Sequence, residues 1–196
     1  KSKVISTSTI SLFWSTIGFL ALFLLFRKDL ALWSEINVEY IVFTIWILAL
    51  DALAIIPFSK IRAEGRPIKY AVIKILNVVI NLSLNVFFLA FLPKWAANND
   101  NVFIQTIYHQ DFQIGYIFVS NLIASLFTLL FVLPDYFKIK WQFDVNLWNK
   151  MMQYGLPILV AGVAFAINEH FDKILLDWMH VDMADIGAYS ACYKIG

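Results

Sequence analysis

Residues 154–196 read YGLPILVAGVAFAINEHFDKILLDWMHVDMADIGAYSACYKIG. The stretch begins as an apolar helix of membrane-spanning length, opening just after a Gly-Leu-Pro break, with Asn168, Glu169, Asp172 and Lys173 in its second half. At 100° per residue these side chains fall within a sector of roughly 140°. One face is therefore polar, and Leu159, Val160, Val163, Leu175 and Leu176 are left to meet lipid or other helices. An ionisable residue at mid-bilayer costs about 2.5–3.5 kcal/mol on insertion scales, and such residues persist where they face a protein interior or a polar cavity. The simpler alternative is a self-neutralising pair that glues this span to a neighbour.

The rest of the chain has the same character. Hydrophobic residues make up 61% and charged ones 15%, against about 45–50% and about 25% in ordinary soluble domains. This composition predicts an all-α integral membrane protein, a polytopic helix bundle. A net charge of +1 and the lack of a basic tract argue against a nucleic-acid partner. The single cysteine, Cys192, allows no internal disulfide and reads as a small packing residue.

Upstream, apolar runs predict spans at 4–26, 38–58, 71–92 and 112–133, and the quoted stretch gives 155–178 with another beginning near 187. In the first span Ser8, Ser11, Ser15 and Gly18 form a small-residue stripe suited to close helix approach. In the second, Asp51 interrupts an apolar run and Pro57 marks the exit. The third carries Lys74, Asn77, Asn81 and Asn85, within a sector of roughly 80° and over about 16 Å of helix. That polar rail must either line a cavity or bond across to neighbouring helices, where each amide would contribute about 0.6–2 kcal/mol. Lys74 and Asp51 should lie at similar depth, as a buried or half-buried pair. Pro93 ends that span, and in the fourth Asn121, Ser125 and Thr128 form a weaker polar stripe that packing explains.

Pro134 opens a return loop, in which the alternation of Phe137, Ile139, Trp141 and Phe143 with polar residues predicts an extended surface segment. Residues 145–154 then read as a helix lying on the membrane, and Pro157 sits just inside the fifth span. Loop cations number nine on one side (Lys1, Lys3, Lys60, Arg62, Arg66, Lys69, Lys138, Lys140, Lys150) and three on the other (Arg27, Lys28, Lys94). That asymmetry places the Lys1 end and loops 59–70 and 134–153 in the cytoplasm, with loops 27–37, 93–111 and 179–186 outside. The basic loop 59–70 reads as a topology signal, with contact to an anionic lipid headgroup as the sharper alternative.

No Walker loop, dinucleotide fingerprint, HExxH or GxSxG occurs. The chain is therefore expected to be neither an ATPase nor another enzyme, and to need no cofactor. His109 has no second ligand at metal-binding spacing, so no metal site is expected. Glu169 and His170 are adjacent, about 100° apart on a helix, and do not make an acid–base pair.

Three pieces of the quoted stretch carry a resemblance: Tyr-Gly-Leu-Pro at 154–157, Asn-Glu-x-x-Asp-Lys at 168–173, and Gly-x-Tyr-Ser-x-x-Tyr-Lys-Ile-Gly at 187–196. Together they resemble the seventh span and the start of the eighth in bacterial polysaccharide flippases. These are the O-antigen and exopolysaccharide (Wzx-like) members of the multidrug/oligosaccharidyl-lipid/polysaccharide exporter superfamily. The resemblance implies a fragment of a two-lobed transporter of 12–14 spans: residues 1–133 in the N-terminal lobe, 134–153 as the cytoplasmic connector and 154–196 opening the C-terminal lobe. It further implies a bacterial inner-membrane protein that flips undecaprenyl-pyrophosphate-linked oligosaccharide to the periplasmic leaflet, with membrane lipid and other polysaccharide-assembly proteins as partners. On that reading Lys74, Asn77, Asn81 and Asn85 face the substrate, and Asp51, Glu169, Asp172 and Lys173 couple an ion or proton to transport. Alternatives are a membrane polymerase of the same pathway, which should show a large basic outer loop, and a drug/cation antiporter of the same superfamily. Lys74 on the asparagine rail argues mildly against a cationic substrate.

Overall fold

The computed structural model describes residues 2–98, 112–137, 139 and 141–193. Lys1, Lys138, Lys140, His109 and most of the loop 93–111 lie outside these, as does the side chain of His170. Among the described residues every regular element is helical: α1 (Ser2–Leu25), α2 (Arg27–Ser34), α3 (Val38–Ala63), α4 (Pro67–Val86), a π-helical segment (Phe87–Phe91), α5 (Leu92–Asn98), α6 (Gln113–Tyr136), α7 (Val145–Trp178) and α8 (Met183–Tyr193). Five stretches are long and apolar enough to cross a membrane: Lys3–Leu25, Val38–Ala63, Pro67–Ala96, Gln113–Tyr136 and Val145–Leu176. The protein is an all-α, multi-pass membrane protein.

The chain divides into two compact units, Lys1–Asp144 and Val145–Gly196. In the first, α6 packs against both α3 and α4, and α3 also packs against α1 and α2. The core is a layer of Ala54, Phe58 and Ile61 from α3, Ile73 from α4 and Val132 from α6, flanked by Tyr70 and Leu129.

Local sequence explains the joints. Asn37 caps α3, its side-chain oxygen accepting from the Glu39 amide at 3.2 Å. At the other end Gly65 adopts φ +70°, with Gly65 N–H donating to the Arg62 carbonyl and Arg66 N–H to the Ile61 carbonyl, both at 3.1 Å. This is the Schellman closure that glycine favours, and Pro67 at the head of α4 loses no hydrogen bond. The expected loop 59–70 therefore shrinks to residues 64–66; Lys60, Arg62 and Lys69 ride on helix ends and Arg66 stays in the turn.

Proline is where expectation and structure part. Pro57, Pro134 and Pro157 lie inside helices, and the third long helix continues past Pro93 through the π segment to Asn98. Pro57, Pro93 and Pro134 do not end their helices as the sequence reading expects, and Pro157, expected near the start of a span, lies well inside one. At Pro57 the reason is visible. Its missing N–H frees the carbonyl four residues back, Leu53, and the Tyr136 hydroxyl donates to that same carbonyl. Ahead of Pro93 the Leu92 N–H reaches the Phe87 carbonyl, the wider turn that relieves the ring's pressure on the carbonyl of Leu89.

The stripe expected on α1 is displaced. Ser15 and Gly18 are exposed, whereas Ser6, Thr7, Thr9 and Thr16 are buried. Ser6 Oγ donates to the Gln142 carbonyl and accepts from its amide, both at 2.7 Å, and Asp144 N–H reaches Thr7 Oγ1 at 3.2 Å. The small residues thus hold segment 141–144 against the start of α1. In the second unit, residues 145–154 are continuous with the fifth span as one 34-residue helix, α7. The expected surface helix is its first turns.

Candidate functional site

The polar residues of three helices meet in one cavity. Asp51 with Leu48, Ala52, Ala54, Ile55 and Phe58 from α3, Lys74 and Asn77 from α4, and Asn121, Ser125 and Thr128 from α6 enclose about 430 Å³. On α6 the spacing of these three places them on one face, the face turned to α4 and α3.

The asparagine rail is bonded across to α6. Asn77 Nδ2 donates to Thr128 Oγ1 at 2.9 Å, and Asn81 Nδ2 to Asn121 Oδ1 at 2.9 Å. Asn85 Nδ2 reaches back to Asn81, to the carbonyl at 3.0 Å and to Oδ1 at 2.6 Å. The amides tie α4 to α6, and of the rail Lys74 and Asn77 border the cavity while Asn81 and Asn85 are not part of its lining. Capacity is left over. Asn85 Oδ1 is buried without a hydrogen-bond partner among the described residues, and Asn77 and Asn121 each use one of their two amide ends. An amide offers both donors and acceptors, the complement a hydroxyl-bearing ligand requires.

The expected Asp51–Lys74 pair does not form. Both residues line the cavity and both are exposed, but no ion pair joins them among the described residues. The Lys74 ammonium sits 5.0 Å from the centre of the Phe58 ring, where the aromatic face attracts it. The cavity thus presents one carboxylate and one ammonium from separate walls.

Beneath it, the apolar layer of Phe58, Ile61, Ile73 and Val132 separates the cavity from a second polar group. Asp135 is fully buried at the end of α6. Its Oδ2 is ion-paired with Lys69, its Oδ1 lies 3.8 Å from Arg66, and its backbone carbonyl accepts from the buried Lys60 at 3.2 Å. Arg66 also pairs with Glu64, and the Arg62 guanidinium stacks 5.2 Å from the Tyr70 ring centre. Asp135 has no role in the sequence reading, because Pro134 reads there as the start of a loop.

Of the other predicted residues, Glu169, Asp172 and Lys173 lie on α7 in the second unit. There the Tyr189 hydroxyl of α8 donates to Asp172 Oδ2 at 2.6 Å. The carboxylate is held by the helix that follows it, a partner within the Gly-x-Tyr-Ser piece of the quoted stretch. Among the described residues no cluster of three or more His, Cys, Asp or Glu side chains could hold a metal ion.

Residues 112–196 match a family model described as polysaccharide biosynthesis protein. The match takes in α6, α7 and α8, hence Asn121, Ser125, Thr128 and Asp135 as well as Glu169, Asp172 and Lys173. No curated protein and no solved structure matches the chain. Over those residues the chain is similar to a family concerned with making polysaccharide.

Proposed function

We propose that the protein is a membrane carrier, not an enzyme, which moves a lipid-linked oligosaccharide between leaflets during polysaccharide assembly. The observation that carries this reading is the polar cavity inside the apolar helices, bordered by Asp51, Lys74, Asn77 and Asn121. Sugar hydroxyls can exchange water for amides there, and Lys74 can meet a phosphate as a point charge. The family match over 112–196 supports the polysaccharide half of the reading. The finer assignment is an undecaprenyl-pyrophosphate carrier lipid flipped from cytoplasm to periplasm across a bacterial inner membrane. Asp51, Glu169, Asp172 and Lys173 serve as ion- or proton-coupling groups and Asn77, Asn81 and Asn85 as sugar contacts.

The test is a leaflet-translocation assay with lipid-linked glycan, run on the complete protein in vesicles alongside organic-cation efflux. Glycan flipping should fall at least tenfold in Lys74→Ala and Asn77→Ala, with cation efflux absent throughout. Asp51→Asn should flatten the dependence of flipping on pH or Na⁺. Cation efflux without glycan flipping would replace this reading with an antiporter.

A further inference from the structure

A second cavity, of about 330 Å³, lies in the first unit, away from the polar one. Phe13 from α1, Leu53 from α3, Leu129, Leu133 and Tyr136 from α6, and Phe137 and Trp141 from the segment beyond α6 form its lining. Its one nearby hydroxyl is already committed, since Tyr136 donates to the Leu53 carbonyl that Pro57 leaves free. Only ring and aliphatic surface therefore faces the space.

The outer wall is built in place. Gln142 and Asp144 are bonded to Ser6 and Thr7 of α1, Ile139 is buried, and Trp141 packs edge-on against Phe13 at 6.4 Å between ring centres. Leu129 and Leu53 form the floor, whereas Phe137 and Trp141 at the rim are 82% and 60% exposed. The cavity thus opens at the end of α6, where a tryptophan and a tyrosine mark the boundary between hydrocarbon and headgroups.

An apolar space of this size offers water no partner, so it stays empty or takes an apolar ligand. In a multi-pass membrane protein the ligand at hand is lipid hydrocarbon. Oligosaccharide is excluded, because every hydroxyl entering would lose its hydrogen bonds. We propose that this cavity is a resident-lipid site that holds one acyl chain of a membrane phospholipid between α1, α3 and α6. The site is independent of the transport reading and needs only the membrane placement.

Native mass spectrometry of the complete protein after exhaustive detergent delipidation tests it, with a brominated-chain phosphatidylglycerol then added back. Wild type should retain or rebind one phospholipid, and the brominated chain should quench tryptophan fluorescence in a saturable way. Most of that quenching should disappear in Trp141→Phe. Leu133→Trp, or Leu53→Phe if the first fails to fold by circular dichroism, fills the space and should reduce retention at least tenfold. Failure of wild type both to retain and to rebind a phospholipid, unchanged retention in a folded filling variant, or retention of a prenyl lipid in place of a phospholipid would each overturn the assignment.

Discussion

Asp135 shows how much one side chain can set. It is fully buried, and Lys69 is its principal partner. The side chain of Lys69 is 35% exposed, so the lysine can return to water if the carboxylate is lost, whereas the carboxylate has nowhere to go if the lysine is lost. Removing the lysine is therefore the costlier change. Lys69→Met should destabilise the protein by about 3 kcal/mol, the lower end for an orphaned buried charge because Arg66 remains near. Asp135→Asn should cost about 1–2 kcal/mol, the scale of a lost charged hydrogen bond whose other partner is resolvated. Unfolding of the purified protein in graded SDS measures both, and equal losses would mean that the two groups are equally buried. At this scale the sequence was half legible. The asparagine spacing on α4 announces a polar face, but its partners Asn121 and Thr128 read only as packing residues, since one helix's periodicity does not say which neighbour it meets.

The elements were legible as apolar runs and illegible at their ends. Lengths and apolar content identify all five long helices, whereas reading Pro57, Pro93 and Pro134 as stops misplaces the ends. That rule comes from helices in water, where a freed carbonyl is solvated and the chain has alternatives to helix. In hydrocarbon it has none, so a helix runs on through proline wherever another group satisfies the exposed carbonyl. Tyr136 does this for Pro57, and the pairing makes a sharp prediction. Tyr136→Phe should cost about 1–3 kcal/mol by leaving the Leu53 carbonyl unsatisfied. In a Pro57→Ala background, where residue 57 regains its N–H, the same change should cost almost nothing. A double-mutant cycle in SDS reads the coupling directly, and additive costs would show that the hydroxyl does something else.

For the whole molecule, orientation rests on the distribution of cations. With Cys192→Ser as background, Ser34→Cys should react with an impermeant thiol reagent in intact cells, and Ala63→Cys only after permeabilisation. The reverse pattern would invert the topology. Membrane class is readable because it follows from composition, and loop charge supplies the orientation that this labelling would check. The cavity is not readable, because it needs three helices in register. The apolar layer of Phe58, Ile61, Ile73 and Val132 has an electrostatic consequence. It offers no side-chain dipole to replace hydration, so a bare charge passing between Asp51 and the Lys69–Asp135 pair would face the desolvation penalty of a low-dielectric interior.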